Sequence, residues 1–166
     1  MTARLRWWAT KTRQTAAHLA AHVRAAEREA LARWLTPAEL ALFDRMHVAD
    51  RRHGLDVVRT LRRGGVAERD VLVAGLLHDA GKGDTGLLPR IVHALGQAFG
   101  GWVPSLASVI PAMRAPLARL RTHAETSAEL ARAAGCSERT VELIRWQETP
   151  RDREFGERLR LADEAN

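Results

Sequence analysis

Cysteine and long apolar runs are the two features that this chain most clearly lacks. Its single thiol, Cys136, cannot form a disulfide within the chain, and sparse cysteine is typical of a reducing compartment. No secretory signal and no apolar stretch of 18 residues occurs, whereas a membrane-spanning helix needs about 20 apolar residues. We therefore expect a cytoplasmic protein without a membrane partner.

Lysine is also scarce, although the chain is basic. Only Lys11 and Lys82 occur among its 26 basic residues, and the formal net charge is +6. The arginines are scattered through nearly every segment instead of forming one stripe. This charge favours an anionic ligand such as a phosphate ester, and its scatter makes nucleic-acid binding the less favoured interpretation.

The length of 166 residues fits one domain with a proper core. Apolar residues at helical spacing predict a long amphipathic helix over residues 15–35. We expect residues 1–35 to form an N-terminal helical extension packed on a main domain at 36–166. His18 and His22 lie four apart on this helix, but no HExxH glutamate accompanies them, so we interpret them as surface or packed side chains.

The most informative stretch is VLVAGLLHDAGKG, residues 71–83. Its apolar first half predicts a buried helix, and that helix ends abruptly at His78 and Asp79. An imidazole and a carboxylate at the edge of a core are costly to desolvate unless something binds them. A metal ion would bind both. The alternative is that His78 caps the helix and Asp79 opens a turn.

A second histidine is expected to approach this pair. Thr36, followed by Pro37, predicts the start of a helix that continues to residue 46. Residues 49–63 predict another helix, which carries His53 and ends at two glycines. Because only residues 64–67 separate it from the buried helix, the two can pack antiparallel and bring His53 beside the pair. Spacing alone leaves open an ordinary, partly buried histidine.

The remainder also predicts helices. Residues 87–99 predict one helix, on which we interpret His93 as a packed side chain. Glycine and proline recur over residues 100–120, which predicts an irregular connection with helical pieces that covers the site. A further helix is expected from about Thr122 to Gly135, and Ser137 is expected to begin the next one.

His53, the His78–Asp79 pair with its trailing AGK, and Asp163 in RLRLADEAN resemble the signature of the HD-domain superfamily of metal-dependent phosphohydrolases. The resemblance covers residues 40–166. It implies an all-α, single-domain helical bundle of the HD type, in which these four side chains bind one divalent metal ion. Two imidazoles and two carboxylates suit Mn, Fe, Co, Ni or Mg and leave positions for water and a phosphoryl oxygen.

His123 is similar to a histidine with which two-metal members, including the HD-GYP phosphodiesterases, hold a second ion. Such members usually have another histidine near the end of the following helix, where this chain has Trp146, Gln147 and Glu148. A neutral amide is a poor replacement for an imidazole at a transition-metal site. We therefore expect one metal ion, with His123 as a partial second-site ligand or as a cation that faces the substrate phosphate.

The resemblance implies a phosphohydrolase that uses metal-activated water on a small anionic phosphate ester, with a nucleotide as the favoured substrate. By position, Asp84 is the candidate that orients or deprotonates the water, with a solvated loop acid as the alternative. Lys82 is the candidate contact for a phosphate oxygen, or a residue that only neutralises Asp79. Two other functions stay open: a non-catalytic or regulatory HD module that binds a nucleotide or metal, and a nucleic-acid-binding helical protein.

Overall fold

The computed structural model of the protein describes residues 21–166, apart from the side chains of residues 87 and 97–99. Over this range the chain contains no strand, so the predicted all-α fold is confirmed. A short 3-10 helix, Ala80–Lys82, follows the fourth α-helix. The α-helices are α1 Ala25–Ala32, α2 Pro37–Arg45, α3 Val48–Arg63, α4 Arg69–Leu77, α5 Leu87–Phe99, α6 Trp102–Ala107, α7 Pro111–Arg121, α8 His123–Ala133, α9 Glu138–Arg145 and α10 Gly156–Ala165.

Helix α4 is the centre of the fold. Every residue from Val71 to Leu77 is buried, as expected for a helix that is apolar on all sides. Helices α2, α3, α9 and α10 pack around it. The apolar run of the sequence is therefore an internal helix, and its last residue delivers His78 to the edge of the core.

Helices α3 and α4 approach each other unusually closely at Gly54. A Cβ atom built on Gly54 would lie 2.5 Å from the main-chain oxygen of Leu76, which is closer than real Cβ contacts allow. Only a glycine permits this approach of the two backbones. Because His53 precedes Gly54 and His78 follows Leu76 by two residues, the contact also brings the two histidines together.

Two helix starts follow from capping residues that the sequence identified. The side chain of Thr36 accepts a hydrogen bond from the main-chain nitrogen of Glu39, and that of Ser137 accepts one from Thr140. In both cases a hydroxyl replaces the missing acceptor for an N–H of the first turn. The predicted starts of α2 and α9 are confirmed.

The continuous helix predicted for residues 15–35 is wrong within its described part. Residues 21–24 are not helical, and α1 begins only at Ala25. The reason is a capping arrangement: Glu27 accepts a hydrogen bond from the main-chain nitrogen of Arg24, whose backbone is extended. His22 is exposed. The segment with Trp7 and Trp8, which we expect to be a packed or frayed terminus, lies outside the described residues, as does His18. The division of the chain at residue 35 stays a prediction.

The helical pieces predicted within the irregular connection at residues 100–120 are present, but the connection is more helical than expected, since α6 and α7 occupy most of it. Pro104 lies in the first turn of α6, and Pro111 begins α7. Proline is tolerated at such positions because a first-turn N–H has no partner within its helix. Pro116 lies inside α7 without ending it. Helix α7 contacts the 3-10 helix that follows His78 and Asp79.

Candidate metal centre

Three side chains from distant parts of the chain meet at the end of α4. His53 lies on α3, His78 follows the last residue of α4, and Asp163 lies on α10. The Nε2 atom of His53 lies 2.7 Å from Asp163 Oδ1, and Nε2 of His78 lies 3.3 Å from the same oxygen. One ligand atom from each side chain lies within 4.8 Å of the others, as a shared metal ion requires.

Neighbouring groups determine the proton position on His78. Its Nδ1 atom lies 3.0 Å from the carbonyl oxygen of Gly75. A carbonyl only accepts hydrogen bonds, so Nδ1 carries a proton, and Nε2 is the atom that offers a lone pair once its own proton is lost. That Nε2 atom is buried and has no hydrogen-bond partner among the described residues. Nδ1 bound to a carbonyl with Nε2 left free is the usual arrangement of a histidine that binds a metal.

The fourth predicted ligand, Asp79, lies beside this group and is not a member of it. Its Oδ2 atom accepts a hydrogen bond from Lys82 Nζ at 2.6 Å. Its Oδ1 atom lies 3.5 Å from His78 Nε2 and 3.7 Å from His123 Nε2, and it is buried without a partner among the described residues. His78 Nε2 and Asp79 Oδ1 are thus two neighbouring buried atoms without a hydrogen-bond partner among the described residues, which is costly unless a proton or a metal cation binds between them.

The electrostatics of the group favour positive charge at its centre. Burial opposes the charged form of His78, but the carboxylates of Asp79 and Asp163 outweigh it and raise the pKa of His78 to about 9. Burial likewise disfavours the charged carboxylates, yet His78 holds the pKa of Asp79 and that of Asp163 well below the ordinary range. A divalent cation would replace the proton of His78 in this environment.

The HDAGK segment turns sharply because Gly81 contacts α8. Its main-chain nitrogen donates a hydrogen bond to Ser127 Oγ at 2.8 Å. A Cβ atom at this position would lie 2.5 Å from the main-chain oxygen of His123. The turn therefore lies directly on the start of α8, and this contact brings His123 to the vicinity of Asp79.

His123 is buried and held in one tautomer. Its Nδ1 atom lies 2.7 Å from the carbonyl oxygen of Leu120 and so carries the proton, and Nε2 lies 3.2 Å from Gln147 Nε2, from which it accepts. Burial and the charge of Lys82 lower the pKa of His123. The lowered pKa disfavours the predicted role as a cation, and the hydrogen bond from Gln147 already uses the Nε2 lone pair that a metal ligand would need.

Gln147 follows the end of α9, in the part of the chain that the resemblance compared with a second-site histidine. Its Nε2 atom also lies 3.5 Å from the main-chain oxygen of His78. Both neighbours of this nitrogen are acceptors, which identifies it as the amide N–H₂ group. The Oε1 atom is buried and has no partner among the described residues.

Lys82 and Asp84 differ in their distance from solvent. Lys82 is partly buried against Asp79; burial opposes its charge, but Asp79 and Asp50 outweigh it and raise the pKa of Lys82. Asp84 is exposed, and its main-chain oxygen accepts a hydrogen bond from Arg119 at 3.5 Å. The ammonium group of Lys82 is thus hydrogen-bonded to Asp79 at the centre, whereas the side chain of Asp84 lies in solvent. Its role with water stays a prediction.

An ion pair that the sequence analysis missed anchors the loop after the HDAGK turn. Arg90 binds both carboxylate oxygens of the buried Asp50, at 2.5 and 2.7 Å. The same guanidinium donates to Thr85 Oγ1 and to the main-chain oxygen of Gly83. In a chain rich in arginine, no local pattern distinguishes Arg90 from the others, because its partner is 40 residues away.

His93 also borders the centre. Its Nδ1 atom is buried without a partner among the described residues, and burial, His123 and Lys82 lower its pKa. The sequence suggested only a packed side chain. The only signal in the sequence was the position of His93 on a predicted helix, and such a position does not reveal which other side chains lie near it.

Comparison of the chain with family models, curated proteins and solved structures found no match. Among the described helices, none is both long enough and apolar enough to cross a membrane. The interpretation of the centre therefore depends on its geometry and chemistry.

Proposed function

We propose that this protein is a metal-dependent phosphohydrolase of the HD type, which acts on a small phosphate ester and favours a nucleotide. The observation that carries the proposal is the meeting of His53, His78 and Asp163 around the buried His78 Nε2 atom, which has no hydrogen-bond partner among the described residues. Two imidazoles and a carboxylate suit a divalent transition ion such as Mn, Fe, Co or Ni. Mg²⁺ is the alternative, as a hard cation that prefers oxygen ligands.

The residues divide the work as follows. His53, His78 and Asp163 hold the ion, and Asp79 adds its free Oδ1 atom because Lys82 occupies Oδ2. When bound, such an ion supplies a water of lowered pKa and positive charge for the phosphoryl oxygens. Lys82 keeps its charge and is partly exposed, so it can meet a phosphate oxygen. For the orientation of the attacking water, Asp84 stays the candidate by its position after the HDAGK turn, although its side chain lies in solvent.

A single ion is the expected stoichiometry. The lone pair of His123 Nε2 already accepts a hydrogen bond from Gln147. Binding a second ion there would break this bond and leave the buried amide nitrogen with only the distant His78 oxygen at 3.5 Å.

The test combines metal analysis with phosphate release. The purified protein is loaded with Mn, its metal content is measured, and it is assayed on nucleoside mono-, di- and triphosphates and on cyclic nucleotides. His78→Ala and Asp163→Asn are each expected to lose the metal and, in parallel, to lower kcat/KM by about 100-fold or more. Loss of a direct ligand should have a larger effect than loss of a residue that only hydrogen-bonds to a ligand.

His22→Ala is the matched control, because His22 is exposed and contributes nothing to the centre. It is expected to keep both metal and activity. Wild-type protein that holds no metal, or activity that survives in His78→Ala, contradicts the proposal. Metal and nucleotide binding without turnover would instead favour the regulatory module.

A further inference from the structure

Exposed apolar side chains are concentrated in one part of the described chain. Seven large apolar side chains are exposed among the described residues, and six of these seven lie between residues 88 and 110. The exposed fractions of these six range from 38% for Ile91 to 75% for Val109, and the five other than Ile91 are all more than half exposed. The six are Leu88, Ile91, Trp102, Leu106, Val109 and Ile110.

These side chains lie on a unit of three packed helices. Helix α5 contacts α6 and α7, and α6 contacts α7. Leu88 and Ile91 are three residues apart on α5, and Trp102 and Leu106 are four apart on α6, so each pair shares one helix face. The inward-facing residues of α7, such as Leu117, are buried. Packing of the unit therefore does not account for the exposed set.

The same segment carries charge of one sign. Residues 85–124 contain four arginines and no aspartate or glutamate, although the chain has 20 acidic residues. Asp50 binds Arg90, whereas Arg114, Arg119 and Arg121 are exposed. Arg114 and Arg121 are seven residues apart, which puts them on the same face of α7. Positive charge thus accompanies the apolar side chains. We call the six apolar residues and these three arginines the α5–α7 surface.

This combination selects among partners. A second copy packed on the same surface would oppose like charges, and nucleic acid would leave the aliphatic side chains without a partner. A bilayer with anionic headgroups offers acyl chains for the aliphatic groups, phosphates for the arginines and the interfacial position that tryptophan favours. We propose that the α5–α7 surface docks on anionic phospholipid bilayers.

A helix that lies on a bilayer surface needs no spanning length, so the proposal agrees with the lack of a spanning helix among the described residues. It departs from the sequence expectation of no membrane partner, which rested on the lack of a secretory signal and of a membrane-spanning segment. It is also independent of the proposed hydrolysis. Helix α7 ends at Arg121 and α8 begins at His123, so the surface adjoins the candidate metal centre.

The first experiment is sedimentation of the full chain with lipid vesicles. Vesicles of phosphatidylcholine with a quarter of phosphatidylglycerol are compared with vesicles of phosphatidylcholine alone. Binding is expected only to the anionic vesicles and is expected to weaken as salt screens the arginines. Failure to bind anionic vesicles, or equal binding to both kinds, overturns the proposal.

The second experiment uses matched pairs of variants. Leu106→Glu with Ile110→Glu is expected to lower the vesicle partition coefficient by more than ~10-fold, because two carboxylates would enter the headgroup region. Leu161→Glu is the control, since Leu161 is a comparably exposed apolar residue on α10 outside the surface. Circular dichroism checks that each variant is folded. Equal losses in the control and the double variant overturn the proposal.

A third pair tests the charges. Replacing Arg114, Arg119 and Arg121 by glutamine is expected to lower the partition coefficient about five-fold for each arginine. The control variant removes the same net charge elsewhere, by replacing the exposed residues Arg33, Arg63 and Arg153 with glutamine. Equal effects of the two triple variants indicate a general charge effect and overturn the proposal.

Two further outcomes would assign the surface to another partner. Light scattering is measured on the same samples. Self-association that Leu106→Glu with Ile110→Glu abolishes, without vesicle binding, identifies an interface between copies. Retention on DNA that only the α7 arginine variant abolishes, without vesicle binding, identifies a nucleic-acid surface. Either outcome overturns the docking on lipid.

Discussion

At the scale of single residues, the chain also buries a carboxylate that is not part of the candidate metal centre. Glu39 is almost completely buried. It accepts hydrogen bonds from the main-chain nitrogen of Thr36 and from the guanidinium of Arg69. The thiol of Cys136 lies 3.6 Å from its other oxygen. Burial of this charge is therefore compensated by donors on three sides.

The contact with Glu39 makes Cys136 a poor nucleophile. Burial and the neighbouring carboxylate raise the pKa of Cys136 to about 12. Since only the thiolate reacts, we expect a disulfide reagent at pH 8 to modify the folded protein at least ~100-fold more slowly than the unfolded protein. Thiol absorbance assays with and without denaturant measure this ratio.

Glu39→Gln serves as the comparison for this prediction. It removes the negative charge and keeps the size of the side chain, so labelling of folded protein is expected to accelerate. Rapid labelling of the folded wild type would show that Cys136 is accessible and ionised, contrary to its surroundings.

At the scale of elements, the contact between α3 and α4 determines the geometry of the centre. Gly54 lies against Leu76 in the backbone of α4, and the ring centres of His53 and His78 lie 5.2 Å apart. Separation of the two helices would therefore separate two of the candidate ligands.

We expect Gly54→Ala to lower the free energy of unfolding by about 1–3 kcal/mol, the usual cost of overpacking, although alanine favours an isolated helix. It is also expected to weaken metal binding. Chemical denaturation and metal titration measure the two effects.

Gly101→Ala is the control for this substitution, because a Cβ atom at Gly101 meets nothing within 4 Å. It is expected to leave stability and metal affinity unchanged. Unaltered metal binding in a stable Gly54→Ala protein would show that the close approach does not position the histidines.

The sequence analysis also underestimated how helical residues 100–120 are, and the reason lies at the scale of elements. The sequence analysis treated each proline as an interruption. A proline in the first turn is compatible with a helix, however, because that turn has unpaired N–H groups. Pro104 and Pro111 both occupy such positions. The position of a proline within the turn, which is unknown until the helix start is known, decides its effect.

At the scale of the whole molecule, the centre joins segments that are far apart in sequence. His53 and Asp163 are separated by 110 residues. An ion bound between them exists only in the folded protein, so its binding free energy adds to the stability of the fold.

We expect added Mn to raise the Tm. A free concentration 100 times the Kd contributes about 2.7 kcal/mol, which corresponds to roughly 5–10 °C for a domain of this size. Thermal unfolding monitored by circular dichroism, with metal and with chelator, measures the shift.

The His22→Ala control should shift like the wild type, and His78→Ala should not shift. An equal increase in all three proteins would indicate non-specific binding of the metal.

The sequence by itself determined the helical class, the buried α4 and the starts of α2 and α9. These features depend on short-range causes: apolar composition over two turns, and hydroxyls that accept from the N–H groups of the first turn. The candidate ligand His78 was suggested by its position at the end of the buried helix, and His53 by the short loop between the two helices. Asp163 was identified only through a resemblance to a known signature, since no spacing rule connects it to the histidines.

Only the tertiary structure decided how these residues are paired. Asp79 binds Lys82 and turns one oxygen inward, Gln147 donates to His123, and Arg90 binds Asp50. The exposed face of α5–α7 likewise emerged only from packing. The physical reason is that a contact between distant residues depends on how whole helices pack, and the pattern within any one helix contains no record of its neighbours.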